Sequence, residues 1–175
     1  QGEAKGLGNA IHCARRLIGK EPFAVILPDM LISKDNGNAG SSLKEMKLNF
    51  EKNQISSVLF GKAKKSDIPK YGIAQIKKNF NLPSLGLVKK IIEKPSIKKA
   101  PSNLYAVGRY IFNNDFFKYL SKVKPDKSNE IQLTDAIENY VKDDKKVSAF
   151  LSEGQVFDCG DNAEYILANL EFAMK

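Results

Sequence analysis

The sequence predicts an α/β domain built around a mixed sheet. Three observations lead to this prediction: a stripe of apolar residues at helical spacing near the N-terminus, a continuous apolar run directly after it, and several short strand-like segments before further helices. The 175 residues are about the size of one domain, and 42% hydrophobic with 27% charged residues is an ordinary globular composition. No linker or internal repeat interrupts the pattern, so residues 1–175 are interpreted as one domain.

The first part of the chain is predicted to alternate helix and strand. Apolar side chains recur at i, i+3, i+4 and i+7 between Leu7 and Ile18, after a glycine-rich opening and before Gly19. The continuous apolar run PFAVILPDM at 22–30 is typical of a strand that is covered on both faces. The next three segments are predicted, in order, as a loop at 35–42, a helix at 43–53 and a strand at 55–62.

The second part is rich in strands and ends in helices. Apolar patterning predicts three strands, at 71–76, 87–95 and 103–112, with a turn at 81–86. Three helices are predicted at 112–123, 131–144 and 161–175. Asp161 and Glu164 have the spacing of a capping box at the start of the last helix. Residues 147–160 are interpreted as a hairpin that turns near Glu153 and Gly154.

The net charge of +8 comes from lysine. Only three of the 28 basic residues are arginine, and lysine pairs are scattered along the chain without interleaved aromatic residues. Proteins that bind nucleic acid generally use arginine for bidentate contacts and aromatic side chains for stacking. We therefore expect no nucleic-acid partner, although attraction for small anionic molecules is compatible with the charge.

Neither a membrane span nor a disulfide framework is predicted. No apolar run approaches the roughly 18 to 20 residues that a membrane helix needs. Cys13 and Cys159 lie far apart in the sequence without metal-ligand spacing. They could in principle pair, but two buried thiols in a cytoplasmic protein are the expectation.

Charged residues close three of the apolar strands. Asp29 follows FAVILP, Glu93 and Lys94 follow LVKKII, and Asp158 follows QVF. Ligands of open α/β sheets bind outside the carboxyl ends of the strands. Carboxylates with phosphate oxygens are the ligands that Mg²⁺ prefers, and lysine supplies a point charge for a further phosphate. Together these residues suggest a metal-assisted phosphate site.

Each of these features has a structural explanation when it is taken singly. Asp29 and Asp158 could be turn residues, and the pair Glu93 and Lys94 could be a solvated charged turn. Glycines at the opening of the chain, such as Gly6, fit a tight turn without any ligand. Only their combination favours a function.

That combination closely resembles the bacterial UTP–glucose-1-phosphate uridylyltransferases. The matching segments span nearly the whole chain and are, in order, QGEAKGLGNAIHCA, FAVILPDMLI, YGIA, IIEKP, APSNLYAVGRYIF, NEIQLTDAI and FDCGDNAEY. The segments IEKP, APSNL with VGRY, and EIQLTDAI are more specific than any glycine pattern. Related thymidylyl-, cytidylyl- and adenylyltransferases share the fold, but EIQLTDAI and FDCG indicate the uridylyltransferase branch.

The resemblance implies a Rossmann-like nucleotide-diphospho-sugar transferase fold, in which a mixed, mainly parallel sheet is flanked by helices. It also implies that residues 1–175 are a partial domain. In the family, the glycine loop follows an N-terminal segment of roughly a hundred residues, still compatible with a single domain, whose G-x-G-T-R…PK signature grips the triphosphate. Nothing in this chain matches that signature, and the C-terminal helical tail is also expected to be cut short.

The resemblance assigns roles to seven residues. Gln1 and Gly6 are expected to read the uracil edge, and Asp29 and Asp158 to hold Mg²⁺ as metal ligands. Gly72 and Glu93 are expected to contact the sugar. Lys94 is expected to contact both the sugar and its phosphate, so that Lys94, Asp29 and Asp158 form the catalytic set. Two further residues, Arg109 and Gln132, are expected first of all to be structural, as an internal ion-pair residue and a helix-cap contact.

The implied reaction is uridylyl transfer from UTP to glucose 1-phosphate, which gives UDP-glucose and pyrophosphate. The intact protein is expected to be a cytoplasmic homo-oligomer with small-molecule substrates and no membrane or nucleic-acid partner, and the chain alone is expected to be inactive. Two alternatives stay open. One is transfer of another nucleotide, such as thymidylyl, on the same fold; the other is a non-catalytic module that binds nucleotide sugars.

Overall fold

The structure is a computed structural model that describes residues 2–33, 41–78 and 84–174. The predicted loop at 35–42 lies largely outside the described residues, half of the predicted turn at 81–86 does so, and Gln1 lies outside them as well.

Six α-helices are described in these ranges. They are α1 (Gly6–Cys13), α2 (Arg15–Ile18), α3 (Ser41–Asn53), α4 (Phe117–Leu120), α5 (Leu133–Lys142) and α6 (Asn162–Ala173). The stripe predicted as one helix to Ile18 is interrupted at Ala14, between α1 and α2. Asp161 is the N-cap of α6, since its side chain accepts hydrogen bonds from the backbone N–H groups of Ala163 and Glu164.

Eight strands form two sheets in the described part of the chain. The strands are β1 (Phe23–Ile26), β2 (Met30–Ile32), β3 (Ser56–Lys62), β4 (Ile73–Lys77), β5 (Gly86–Ile92), β6 (Leu104–Phe112), β7 (Val147–Leu151) and β8 (Val156–Asp158). The larger sheet has the order β1-β6-β3-β7-β5-β4, and β4 also pairs with β6. The smaller sheet consists of β2 and β8.

The sheet is mixed, as predicted, but the expectation that it is mainly parallel is wrong for the described strands. Only β3 and β7 pair in parallel, and every other pairing described is antiparallel. The reason lies in the connections. A parallel pair needs a long crossover, and the connection from β3 to β7 runs through β4, β5, β6, α4 and α5. In contrast, β4, β5 and β6 follow one another without an intervening α-helix.

Helices cover both faces of the larger sheet. On one face, Ile11 of α1 and Ile137 of α5 pack with Val58 and Phe60 of β3. On the opposite face, Met46 and Phe50 of α3 pack with Leu59 of the same strand. Successive residues of a strand point to opposite faces, so β3 is buried from Ser56 to Gly61. The continuous apolar run that was predicted to be covered on both faces is that of β1, and this prediction is wrong: β1 is an edge strand, and its Ile26 is exposed.

The hairpin predicted at 147–160 is wrong, although both of its strands exist. β7 joins the larger sheet beside β3 and β5, whereas β8 pairs with β2. Gly154, near the predicted turn, lies directly against the backbone oxygen of Ser33, so the chain there docks onto the end of β2. This difference matters for the site, because it carries Asp158 to the segment that contains Asp29.

Two further expectations concern membranes and cysteines. Among the described residues, no helix has the length and apolar character needed to cross a membrane. The cysteines are unpaired, but they are not buried as expected: Cys13 is exposed and Cys159 is half-buried. Cys13 lies at the end of α1, on the side of the helix away from Ile11, whose side chain enters the core.

Candidate active site

Asp29 and Asp158 lie together where the small sheet begins. Met30 of β2 is paired with Asp158 of β8, and the N–H of Cys159 donates to the backbone oxygen of Asp29 at 2.8 Å. Gly160 faces both side chains, because a Cβ built there would lie 3.1 Å from Asp158 Oδ1 and 4.0 Å from Asp29 Oδ2. The structure thus brings together two carboxylates that are 129 positions apart in the sequence.

Arg109 fixes the turn that carries Asp29. Its guanidinium donates to the backbone oxygens of Leu27 at 2.9 Å and Gly108 at 3.1 Å through Nη1, and to that of Met30 at 2.7 Å through Nη2. Burial lowers the pKa of Arg109, and the charge of Asp29 opposes this change. The expected ion-pair role is therefore modified: Arg109 binds carbonyls on both sides of Asp29 and acts on the carboxylate only through its charge.

Both oxygens of the Asp158 carboxylate accept a hydrogen bond. Gly160 N–H donates to Oδ1 at 3.1 Å, and the Tyr71 hydroxyl donates to Oδ2 at 3.0 Å. Burial and the charge of Asp158 raise the pKa of Tyr71 well above its ordinary value, so the phenol stays protonated and can donate at neutral pH. The Tyr71 ring packs on that of Tyr105, with centroids 4.6 Å apart. Tyr71 was not predicted as a site residue.

Glu93 lies in a second cluster, with Gly72 and Thr134. The Thr134 hydroxyl donates to Glu93 Oε2 at 2.9 Å. A Cβ built at Gly72 would lie 2.5 Å from Thr134 Cγ2 and 3.1 Å from Glu93 Oε2. Gly72 is therefore required by the close packing of these two side chains, whatever else its backbone contacts.

The Glu93 carboxyl is half-buried, and this environment changes its acidity. Burial raises the pKa of Glu93, while the hydrogen bond from Thr134 and the charge of Lys94 act in the opposite direction. The hydrogen bond from Thr134 and the charge of Lys94 thus offset part of the effect of burial on the pKa of Glu93.

Lys94 lies in an exposed turn directly after Glu93. Its backbone is in the left-handed region, with φ of 42°, which is uncommon for a residue that has a side chain. The N–H of Lys94 donates to the backbone oxygen of Tyr71 at 3.0 Å. The turn that carries Lys94 is thereby hydrogen-bonded to Tyr71, the residue that also contacts Asp158.

Gly6 begins α1 and packs against the segment before α5. Its φ is 82°, and a Cβ there would lie 2.9 Å from Ile131 O and 3.0 Å from Glu130 Cβ. Gly8 N–H donates to Ile131 O, and Ile131 N–H donates to Lys5 O, both at 2.9 Å. The glycine loop is thus shaped by segment 130–131. Gln1, its predicted partner in uracil recognition, lies outside the described residues.

The segment EIQLTDAI now has a physical explanation. Its first residues hold the glycine loop, and Thr134, a few positions later, orients Glu93. Gln132 is the N-cap residue of α5 by position, but its side chain makes no cap bond; it donates to Asp126 and Glu130 at 2.9 and 3.0 Å. Sequence reasoning missed Thr134, and the only signal for it was its place in this segment.

A cavity of about 120 Å³ opens beside Asp158 and is lined by Tyr71, Asp158 and Lys64 among other residues, but not by Asp29. In chemical terms, the arrangement offers paired carboxylates for a cation, a buried acceptor for hydroxyl groups and a lysine for an anion. Within the described ranges, no group of three or more His, Cys, Asp and Glu side chains is placed to hold a metal ion.

Comparison with known proteins identifies the family of the chain. The family model described as Nucleotidyl transferase matches residues 1–174. The UTP–glucose-1-phosphate uridylyltransferases of Haemophilus ducreyi and Escherichia coli are 38% and 35% identical to the chain, and the matches cover 100% of it. The chain spans 60% and 58% of the length of these two relatives.

Solved structures give the same result. A crystal structure of UDP-glucose pyrophosphorylase complexed with UDP-glucose superposes with a TM-score of 0.87 at 40% identity, over 99% of this chain and 64% of that one. A UTP-bound enzyme from Acinetobacter baumannii gives a TM-score of 0.81 at 33% identity, over 97% and 57% of the two chains. The chain therefore belongs to the nucleotidyl transferase family.

Proposed function

We propose that this chain is part of an enzyme that transfers a uridylyl group from UTP to glucose 1-phosphate, giving UDP-glucose and pyrophosphate. The observation that carries the proposal is the paired carboxylates, Asp29 and Asp158, joined through Tyr71 to the cluster of Gly72, Glu93 and Thr134. The names of the relatives supply the substrate pair.

The carboxylates suit Mg²⁺. This ion is usually bound in proteins by one or two carboxylates together with substrate phosphates and water, and Asp29 and Asp158 offer two. Asp158 uses one lone pair on each oxygen for its hydrogen bonds, which leaves others for a cation. When bound, Mg²⁺ would neutralise phosphate charge during the transfer.

Glu93 and Lys94 would orient glucose 1-phosphate. The carboxylate of Glu93, held by Thr134, can accept hydrogen bonds from sugar hydroxyls. Lys94, on the adjacent exposed turn, can contact the sugar phosphate. The absence of a side chain at Gly72 leaves room for the Glu93 and Thr134 side chains. A contact between the backbone of Gly72 and the sugar stays a prediction.

The reaction needs no general base in this arrangement. The attacking group is a phosphate oxygen that is already anionic, so positioning and charge neutralisation provide most of the acceleration. The one histidine of the chain, His12, lies on α1 and has no assigned role.

Nucleotide choice depends on Gln1 and Gly6 in this proposal. A glutamine amide offers a donor and an acceptor, which suits the mixed edge of uracil. A Bacillus anthracis thymidylyltransferase structure superposes at 24% identity and supports the shared fold alone. Competition between UTP and dTTP separates the two activities.

The relatives contain residues that this chain does not match, and we propose that the triphosphate grip lies among them. The isolated chain is then a partial domain without activity. A cytoplasmic location, homo-oligomeric assembly of the intact protein and the absence of a nucleic-acid partner stay predictions.

A chimera tests the proposal. This chain would replace the 177 matching residues of the Haemophilus ducreyi relative. UDP-glucose formation and UDP-glucose binding with Mg²⁺ would be measured for the parent, Asp158→Asn and Lys94→Ala. Lys98→Ala, at an exposed lysine four positions further on, is the matched control.

We expect transfer and tight binding in the parent and in Lys98→Ala, and a loss of about 100-fold or more in transfer in the other two variants. Equal rates in all four proteins would show that the strand-end residues are structural. Activity of the isolated chain near that of the chimera would contradict the partial-domain proposal.

A further inference from the structure

Tyr71 is the residue through which the two clusters of the candidate site meet. Its side-chain hydroxyl donates to Asp158 Oδ2 at 3.0 Å, and its backbone oxygen accepts from Lys94 N–H at 3.0 Å. The next residue, Gly72, packs against Glu93 and Thr134. Tyr71 thus contacts Asp158 with its side chain and the turn at Lys94 with its main chain.

Tyr71 itself is held firmly on the Asp158 side. Its ring packs on Tyr105, with centroids 4.6 Å apart. The preceding residue, Lys70, lies 3.3 Å from Asp67 Oδ1 and 3.7 Å from Asp161 Oδ2, three positions after Asp158. The ring contact therefore orients the phenol before any ligand arrives, whereas the exposed ion pairs of Lys70 contribute little.

The carboxylate of Asp158 has few other constraints. Gly160 N–H holds Oδ1, but its donor belongs to the same turn and moves with it. Tyr71 is the partner of Oδ2 that comes from another part of the chain, 87 positions away. Without the phenol hydroxyl, the bond from Gly160 N–H would be the remaining side-chain hydrogen bond described for the Asp158 carboxylate.

We infer that Tyr71 is a positioning residue, which orients the Asp158 carboxylate for a divalent cation and fixes it relative to the Lys94 turn. This inference rests on the proposed function. Groups that hydrogen-bond to metal ligands set their orientation, and loss of such a group costs about 10- to 100-fold in metal affinity or activity.

The decisive variant is Tyr71→Phe, which removes one hydroxyl and keeps the ring. Tyr105→Phe is the matched control, because it removes the hydroxyl of the neighbouring ring, for which no hydrogen bond to Asp158 is described. Mn²⁺ binding to the full 175-residue chain would be measured by water-proton relaxation, and the thermal midpoint without metal would report on folding.

The same variants would be placed in the chimera. We expect Tyr71→Phe to weaken Mn²⁺ binding about tenfold and to raise the half-saturating Mg²⁺ concentration by a similar factor, with kcat recovered at saturating Mg²⁺. A split between metal requirement and kcat is not expected from general damage to the fold. Tyr105→Phe should leave both quantities unchanged.

Unchanged Mn²⁺ affinity in Tyr71→Phe, in a parent that binds the metal and transfers uridylyl groups, would overturn this inference alone. Equal losses in the two variants would also overturn it, because packing of the ring pair would then explain them. A parent chimera that neither binds Mn²⁺ nor forms UDP-glucose would overturn the proposed function, and this inference with it.

Discussion

The hydroxyl of Thr134 donates to Glu93 Oε2 at 2.9 Å, across 41 positions of sequence. Thr134 belongs to the first turn of α5, whereas Glu93 follows β5. The bond joins the EIQLTDAI and IIEKP segments, which look unrelated when the sequence is inspected. It also occupies one acceptor position of the Glu93 carboxylate.

Replacing Thr134 by valine should impair glucose 1-phosphate binding. Valine has nearly the same shape but no hydroxyl, so Glu93 loses a hydrogen bond of the stronger, charge-assisted kind. In the chimera we expect KM for glucose 1-phosphate to rise about tenfold, with KM for UTP unchanged. Thr134→Ser keeps the donor and should restore the parent value. A serine variant as impaired as the valine variant would contradict this explanation.

The pH dependence of stability should change when Glu93 is replaced by glutamine. Burial raises the pKa of Glu93 in the folded state above its unfolded value, so the group favours the folded state most below the unfolded pKa. That contribution is lost as pH rises through the folded pKa. Glutamine does not titrate and can still accept from Thr134.

We therefore expect Glu93→Gln to gain free energy of unfolding over the parent at about pH 7.5, and to gain little at about pH 4. Urea unfolding at both pH values measures this difference. Asp144→Asn, at an exposed carboxylate, is the control and should show no such change with pH. A glutamine variant that is less stable at the higher pH would mean that the charged carboxylate is well solvated or paired.

A methyl group at position 72 should disturb the packing of Gly72 against Glu93 and Thr134. In Gly72→Ala the new Cβ would lie 2.5 Å from Thr134 Cγ2, so Thr134 or Glu93 must move. We expect the free energy of unfolding to fall by about 1–3 kcal/mol and glucose 1-phosphate affinity to fall with it. Gly2→Ala is the matched control, since nothing lies within 4 Å of a Cβ there. Equal stability of the two alanine variants would contradict the packing described for Gly72.

The α/β class and most elements could be predicted because local patterning determines them. The strand that became β3 and the capping aspartate of α6 were both predicted from the sequence. The pairing of strands was not visible. β8 looks like the second arm of a hairpin, yet it leaves β7 and joins β2, and nothing in the periodicity of 147–160 distinguishes the two arrangements.

In the candidate site, too, some residues could be predicted from local sequence patterns and others could not. Charged residues at strand ends identified Asp29, Asp158 and Glu93, because strand ends gather ligands in this class of fold. Tyr71 and Thr134 act through hydrogen bonds to those carboxylates from distant segments. Such partners depend on tertiary contacts that a single sequence does not encode in any local pattern.

Arg109 offers a test of how the Asp29 turn is held. Its guanidinium reaches the backbone oxygens of Leu27 and Met30 through two nitrogens at once. Lysine keeps the charge, but its ammonium is a single point donor and cannot span both carbonyls. Arg109→Lys should therefore cost about 1–3 kcal/mol in free energy of unfolding, because at least one half-buried carbonyl loses its donor.

The same substitution should weaken divalent-cation binding, since the turn between the two carbonyls carries Asp29. We expect Mn²⁺ affinity of the full chain to fall, while Arg16→Lys, at an exposed arginine on α2, leaves both stability and Mn²⁺ affinity unchanged. If Arg109→Lys bound Mn²⁺ as tightly as the parent, the Asp29 turn would be fixed by its pairing to the Asp158 segment alone. The 2.8 Å bond from Cys159 N–H to Asp29 O would then be the contact that holds the two carboxylates together.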